Sequence, residues 1–234
     1  MSTDPQTIPD AFQRAVEHWR RSWPQEKTAA TSQSSQPPLT IAISREVGSG
    51  GKQIAEAVAA RLTWPVYDRE LVEQIAKDSG VRTEMMERVD EHNSSFLRET
   101  LEAFIGAPTM GGAGYAHRLG QTLAGLGAHG ACVIVGRGAT AILPPETTLS
   151  IRIVAALKDR IAAFAQRRDI SQSAARPQVQ QLHQERADFV TRYFHQDIND
   201  PHEYDLVINH SRLGDDACTE VILRAVEQRQ RTVT

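Results

Sequence analysis

A glycine-rich turn between an apolar strand and an amphipathic helix constrains this chain more than any other feature. The segment covers residues 41–58 and reads IAISREVGSGGKQIAEAV. Gly48, Gly50 and Gly51 allow successive backbone N–H groups to turn toward one point, where the N-terminus of the following helix adds partial positive charge. Lys52 supplies a full positive charge beside that point. The segment therefore predicts a loop that binds phosphate groups.

Two positions of this loop depart from the common G-x-x-x-x-G-K-[ST] pattern. Glu46 occupies the first glycine position, and Gln53 replaces the Ser or Thr whose hydroxyl binds Mg²⁺. Ser49 or Ser44 is left to supply that hydroxyl, and we expect Ser49 to be the magnesium ligand. The alternative is a tight strand-to-helix turn that binds no ligand. The residues expected to bind the phosphates of ATP are Gly48, Ser49, Gly50, Gly51, Lys52 and Gln53.

Strand-like and helix-like patterns alternate along the rest of the chain. Short apolar runs predict strands at 39–44, 65–68, 131–136, 148–155 and 204–209. Helical spacing of apolar residues predicts helices at 51–62, 157–168 and 172–196, and a helical stretch from 69 to about 127 that is broken at 106–115. Strands that alternate with helices are typical of a parallel sheet. We therefore predict an open α/β fold of five strands with helices on both faces.

Composition and charge limit the partners that such a chain attracts. Of its 234 residues, 40% are hydrophobic and 24% are charged, which is ordinary for one globular core. The formal net charge of −3 provides no global attraction to polyanions, so we expect neither a nucleic-acid polymer nor a membrane as partner. No secretory signal or membrane-spanning apolar run is evident, which predicts a cytoplasmic protein. The two cysteines, Cys132 and Cys218, form no metal-binding or disulfide pattern.

The first part of the chain differs from the rest in composition. Residues 24–38 are polar and rich in Ser, Gln and Pro, which is typical of a flexible linker. Before the linker, residues 9–23 carry apolar side chains at helical spacing. This amphipathic segment either docks back on the body of the protein or binds a protein partner. We therefore divide the chain into an N-terminal segment (1–37) and one catalytic domain (38–234).

The body of the chain resembles the cytidylate kinase-like family. The similarity begins at SREVGSGGKQIAEAVAARLTWPVYDRELV and continues through VIVGRGATAIL, LSIRIVAALKDRI and DPHEYDLVINHSRLG, in order, over roughly residues 39–230. It implies the fold of a P-loop NTPase, with a helical acceptor-binding insert at about 69–128 and an arginine-bearing lid at about 160–195. It also implies transfer of a phosphoryl group from ATP, with Mg²⁺, to a small phosphorylated acceptor, by default a nucleoside monophosphate such as CMP or dCMP.

The same resemblance assigns roles to individual residues. Arg137 matches the arginine that contacts the acceptor's phosphate, and Asp68 matches an acidic position beside the acceptor. Gly138 replaces the aspartate that helps those enzymes to recognise the nucleoside, which leaves cytidine specificity open. Three arginines fall in the lid region. Of these, we expect Arg160 to bind the acceptor, and Arg186 and Arg192 to act with Lys52 as catalytic residues.

Ordinary ion pairs are the alternative explanation for the lid arginines. Asp188 and Arg192, for example, are four residues apart on one predicted helix. Two other functions also remain open. Gly138 favours a kinase of a different small molecule on the same scaffold, whereas Gln53 favours a nucleotide-binding regulatory protein with little transferase activity.

Overall fold

The computed structural model describes Gln13, Val16, Glu17 and the ranges 38–91 and 113–232. The predicted linker and most of the predicted N-terminal helix lie outside these residues, as does most of the predicted break at 106–115. No helix within the described part of the chain is long and apolar enough to cross a bilayer.

Five parallel strands form one sheet in the order β2-β3-β1-β4-β5. They are β1 (Thr40–Arg45), β2 (Val66–Tyr67), β3 (Val133–Val135), β4 (Thr148–Val154) and β5 (Leu206–Asn209). The first strand is central, and its Ile41 lies opposite Val133 on one side and Leu149 on the other. The structure thus confirms the predicted five-stranded parallel sheet.

Within the described ranges, eight helices lie between or after these strands. They are α1 (Gly51–Leu62), α2 (Arg69–Lys77), α3 (Ser79–Glu91), α4 (Ala113–His129), α5 (Ala139–Ile142), α6 (Leu157–Arg168), α7 (Gln172–Phe194) and α8 (His210–Thr232), with a single 3₁₀ turn at Pro201–Glu203. The helical stretch after β2 already breaks at Asp78, and residues 113–115, which were predicted to lie in a break, begin α4 instead. Gly214 interrupts the last helix, with φ 75° and ψ 175°.

Both faces of the sheet are covered by helices because successive strand residues point to opposite sides. In β1, Ala42 belongs to a cluster with residues of α2, α3, α4, α5 and α7. Its neighbours Ile41 and Ile43 belong to a second cluster with residues of α1 and α8. Helices α2, α3, α4, α5 and α7 therefore pack on one face of the sheet, and α1 and α8 pack on the other.

A third and smaller cluster joins α6 and α7 to the glycine-rich loop. It contains Ile161 and Phe164 from α6, Ala175 and Val179 from α7, and Val47 from the loop itself. This packing holds the helix pair beside the carboxyl ends of β1 and β4. Because β1 lies between β3 and β4, the crevice outside its end is the place where open α/β sheets bind ligands.

Candidate active site

The glycine-rich loop follows β1 directly and forms a compact cradle. Gly48 has φ 83° and Gly50 has φ 77°, both in the left-handed region that favours glycine. A Cβ at Gly48 would overlap the carbonyl oxygen of Arg160, so the close approach of α6 also requires glycine there. The N-terminus of α1 begins at Gly51. The loop thus has the left-handed turns and the helix N-terminus that its glycines predict, and its binding of phosphate stays a prediction.

A buried ion pair supports this loop at the position where the common pattern has a glycine. Glu46 accepts a hydrogen bond from Arg160 at 2.8 Å and another from the backbone N–H of Ala155 at 2.9 Å. Arg160 also donates to the carbonyl oxygen of Val47 at 3.0 Å, and its side chain is 8% exposed. Arg160 does not line the cavity in this structure, and its predicted role as an acceptor ligand stays a prediction. Its guanidinium lies beneath the loop because the packing of α6 directs it there.

The hydroxyl of Ser49 does not face the cradle either. The residue is 1% exposed, and its Oγ donates to the carbonyl oxygen of Glu46 at 3.0 Å. Ser49 therefore stabilises the turn of the loop, and its placement does not fit the predicted role as magnesium ligand. Gln53 is exposed on the first turn of α1.

Lys52 connects the loop to the second strand. Its Nζ lies 3.1 Å from Oδ2 of Asp68, while Oδ1 of Asp68 accepts the N–H of Leu71 and caps α2. Partial burial lowers the pKa of Lys52, but the hydrogen bond to Asp68 and the nearby Glu56 outweigh this effect, so the net shift is upward. The ammonium group is thus charged, and its side chain is 56% exposed at the mouth of the site.

The cradle fits a nucleotide's phosphates, but the described residues build no magnesium cage. They contain no cluster of three or more His, Cys, Asp or Glu side chains placed to hold a metal. Mg²⁺ often keeps several waters and binds through substrate phosphates and one or two carboxylates. Asp68 is the carboxylate beside Lys52, so it is the residue here that would hold a magnesium-bound water.

A cavity of about 230 Å³ opens beside the loop at the same edge of the sheet. Arginines are the most frequent residues in its wall: Arg45, Arg69, Arg137, Arg152 and Arg186. They come from the ends of β1, β3 and β4, from the start of α2 and from α7. Residues distant in sequence therefore build one strongly cationic pocket where the strands end.

Each wall of the cavity fixes its guanidiniums through different contacts. Arg137 pairs with Glu73 of α2, and its guanidinium carbon lies 5.2 Å from the ring centroid of Phe189 on α7. On the other side, Arg152 donates to Oγ of Ser44 at 2.7 Å. Arg186 donates to the carbonyl oxygen of Arg45 at 3.1 Å.

Burial and mutual repulsion act on several of these arginines. Burial is the main cause that lowers the pKa of Arg45 to about 10, and the neighbouring Arg137 contributes to the shift. Burial also lowers the pKa of Arg186 to about 9, with added repulsion from other arginines including Arg45 and Arg152. Crowded positive charges of this kind favour the binding of an anion.

The remaining predicted residues separate into two groups. Asp68, Arg137 and Arg186 lie at the loop or in the cavity wall, together with Lys52. Arg192 lies on an exposed face of α7, outside the cavity wall, so its catalytic role stays a prediction. Helical spacing alone does not show which side chains of α7 face the cavity.

Sequence reasoning missed three arginines of the cavity, Arg45, Arg69 and Arg152. Arg152 carried a usable signal, because it is a lone charged residue inside the apolar run of β4 and is only 3% exposed. Arg45 also carried one, since it ends β1 immediately before the glycine-rich loop. Arg69 follows a turn aspartate and gives no comparable signal.

The turn after β3 shapes the inner end of the cavity. Gly138 has φ 73°, and a Cβ at this position would overlap the ring of Phe194 at the end of α7. Phe194 is 7% exposed and packs with the core around α2, α3 and α4. An aromatic ring thus occupies the space into which a side chain at position 138 would extend.

The parallel sheet, the phosphate cradle and the arginine-lined cavity define a phosphotransferase of the P-loop kinase class. The profile of the cytidylate kinase-like family matches residues 40–212, which is most of the chain. The chain therefore belongs to the cytidylate kinase-like family. Among curated proteins, no relative matches the sequence.

The chain is similar to several solved structures. The crystal structure of an uncharacterized protein from Eubacterium ventriosum ATCC 27560 aligns with a TM-score of 0.66 at 25% identity, and covers 81% of this chain and 98% of its own. A shikimate kinase from Bacteroides thetaiotaomicron aligns with a TM-score of 0.42 at 14% identity, covering 82% and 98%. The protein TT1252 from Thermus thermophilus gives 0.44 at 17% identity, with the same coverage.

Proposed function

We propose that this protein transfers a phosphoryl group from ATP to a small phosphorylated acceptor. One observation carries the proposal: the cradle and the arginine-lined cavity meet at the same edge of the sheet, and Lys52 with Asp68 bridges the loop to β2 and α2. Donor phosphates on the loop would then face an acceptor in the cavity. This is the in-line arrangement that phosphoryl transfer requires.

The described residues supply what this reaction needs from a protein, which is positioning and positive charge. The loop amides and Lys52 would hold the β- and γ-phosphates of ATP. An oxygen of the acceptor's phosphate attacks the γ-phosphorus, the bond to the β,γ-bridging oxygen breaks, and ADP leaves with that electron pair. Bound Mg²⁺ would neutralise charge on the donor phosphates. Arg186, which is hydrogen-bonded to the last residue of β1, is placed to bind the phosphoryl group during transfer.

Two residues would position the acceptor. Arg137 is held between Glu73 and Phe189, so its guanidinium has one orientation at the end of β3. It would bind the acceptor's phosphate on the side away from the donor. Asp68 would orient the acceptor or hold a magnesium-bound water, and it competes with the donor for Lys52 until ATP binds.

Membership of the family makes a nucleoside monophosphate, CMP or dCMP, the first acceptor to test. A different phosphorylated molecule is the second candidate. The contact between Gly138 and Phe194 favours that candidate, because it leaves no space for an acidic side chain at this position.

The decisive experiment is an assay of ATP consumption with Mg²⁺ against CMP, dCMP, UMP, AMP and GMP. We expect the wild type to turn over an acceptor, and Lys52→Ala to lower kcat by about 100-fold or more because a charge that stabilises the transition state is lost. Lys158→Ala is the matched control, since Lys158 is exposed on α6. It should retain wild-type activity.

The outcomes separate the candidates. Turnover of CMP or dCMP that is lost in Lys52→Ala would support a pyrimidine-nucleotide kinase. Binding of ATP without turnover of any phosphorylated acceptor would contradict phosphoryl transfer and would favour the regulatory alternative indicated by Gln53. Unchanged activity in Lys52→Ala would refute the assignment of the loop.

A further inference from the structure

The side chains in the cavity wall are suited to binding anionic groups and poorly suited to recognising a nucleobase. Besides the five arginines, its side chains are four apolar residues, two hydroxyls and one carboxylate, Glu185. Recognition of a base edge needs acceptors as well as donors at fixed positions, and the arginines supply donors alone. Of the two hydroxyls, Ser44 already accepts hydrogen bonds from Arg152 and Tyr204, so Thr140 is the neutral side-chain acceptor left in the described wall.

The positive charges of the wall are only partly compensated. Glu73 lies within ion-pair distance of both Arg69 and Arg137, so one carboxylate serves two guanidiniums. The hydrogen bonds of Arg152 and Arg186 go to neutral oxygens, those of Ser44, Asn199 and the Arg45 backbone. Even with Arg186 reserved for the phosphoryl group in transfer, the cavity retains an excess of positive charge.

These charges also lie at two separate places. Arg137 follows β3 and is drawn toward Glu73, whereas Arg152 lies on β4 and sits against the ring of Tyr204, at 6.0 Å. The strand β1 separates the two, so their backbones are two strand spacings, roughly 10 Å, apart. Nε of Arg137 is buried and has no acceptor among the described residues. A single phosphate at the Arg137 wall would leave Arg152 with the longer-range attraction of Glu46 and Asp197 alone.

The cavity is also small. Its volume of about 230 Å³ is below the roughly 300–1,000 Å³ that is common for ligand pockets. Phe194 packs directly against Gly138, which is one of the wall residues. The described walls therefore favour an acceptor smaller than a nucleotide.

We infer that the acceptor is a compact molecule that carries a second anionic group, such as a carboxylate, besides the phosphate that receives the phosphoryl group. Its phosphate binds at the wall of Arg137, and its second anionic group binds at the wall of Arg152. The substrate class is thus that of phosphorylated small acids, selected by the spacing of two charges. This assignment of the acceptor rests on the proposed phosphoryl transfer and narrows it.

A matched pair of probes tests the second anion. Glycerol 3-phosphate and 3-phosphoglycerate share a three-carbon skeleton, and only the second carries a carboxylate. Calorimetric titrations would use the full chain with the loop saturated by a non-hydrolysable ATP analogue and Mg²⁺, so that the probes report on the cavity. We expect 3-phosphoglycerate to bind about tenfold or more tightly than glycerol 3-phosphate, and more tightly than CMP.

Two variants locate the effect. Arg152→Gln should reduce the preference for 3-phosphoglycerate to near onefold and leave the affinity for glycerol 3-phosphate almost unchanged. Arg176→Gln, at an exposed position of α7, should change neither. A general loss of folding in Arg152→Gln would weaken both probes together, so the ratio of the two affinities distinguishes a local role from a structural one.

Equal affinities for the two probes would overturn the inference, as would tighter binding of CMP or no binding of either probe at about 10 mM. A different result would refute the proposed function. A preference for 3-phosphoglycerate that depends on Arg152, without turnover of any phosphorylated acceptor, would leave the charge-reading cavity intact and refute phosphoryl transfer. Efficient turnover of CMP with equal affinities for the two probes would support phosphoryl transfer and refute the binding of a second anionic group.

Discussion

At the scale of single residues, the phosphate loop depends on an ion pair that the sequence of the loop does not reveal. Glu46 stands where the common pattern has glycine, and its carboxylate, 14% exposed, is held by Arg160 and by the N–H of Ala155. Removing one partner of a buried pair leaves the other charge without compensation. Glu46 and Arg160 therefore hold the loop in place, and neither residue needs to touch a substrate.

We predict that Arg160→Met destabilises the folded protein by about 3–5 kcal/mol, because Glu46 is left buried and unpaired. The double variant Glu46→Gln/Arg160→Met should recover part of this loss. Arg61→Met breaks the exposed pair with Glu220, whose side chains are 60% and 55% exposed, and should cost less than about 1 kcal/mol. Denaturant unfolding followed by circular dichroism measures all three. Similar losses for Arg160→Met and Arg61→Met would contradict a structural role for the buried pair.

At the scale of elements, the turn from β3 to α5 decides how closely α7 approaches the sheet. Gly138 lies in the left-handed region, and the ring of Phe194 fills the space beside its Cα. The last turn of α7 can then pack on the core while earlier turns carry Leu182 and Arg186 into the cavity wall. One glycine thus permits one helix to serve both the core and the site.

We predict that Gly138→Ala destabilises the protein by about 2–5 kcal/mol, at least as much as Gly214→Ala does. Gly138 has φ 73° and ψ 17°, in the left-handed region, whereas Gly214 has φ 75° and ψ 175°, a region that is almost restricted to glycine, so the backbone cost of alanine is larger at Gly214. A Cβ at Gly138 meets Phe194, whereas a Cβ at Gly214 meets no atom within 4 Å, so the clash adds to the cost at Gly138 alone. Urea unfolding measures both variants. A clearly smaller loss for Gly138→Ala would show that α7 moves away without cost.

At the scale of the whole molecule, two large apolar clusters connect the sheet to the helices on its two faces. The cluster that contains Ala42 and Phe194 also includes Val16, which is 4% exposed, although it precedes the first strand by more than 20 residues. This burial supports the proposal that the segment 9–23 docks on the body. Its partner-binding alternative remains for experiment.

We predict that Val16→Ala destabilises the protein by about 2 kcal/mol, because two buried methyl groups are lost and a small cavity is left. Val221→Ala removes the same atoms from a residue that is 41% exposed on α8, and should change the stability by less than about 0.5 kcal/mol. Thermal and denaturant unfolding of the full chain measure both. A neutral Val16→Ala would mean that the N-terminal segment adds little to the core.

The sequence by itself determined the sheet and the loop, because both depend on neighbours along the chain. Apolar runs predicted every strand, and the glycines before Lys52 predicted the cradle, since these residue types have few other uses at that spacing. Lys52 was predicted from its place in the loop, whereas the roles of Arg137 and Asp68 came from the family resemblance, and all three roles stay predictions. The strands and the loop are therefore encoded locally.

Only the tertiary structure decided which polar side chains share the cavity and which lie beneath it. Arg45 and Arg152 are 107 positions apart in the chain, yet they line one wall because β1 and β4 are paired. Arg160 and Ser49 carry groups that suit ligand binding, but the packing of α6 and the turn of the loop direct both inward. The direction of a side chain depends on the elements packed around it, and those elements come from distant parts of the sequence.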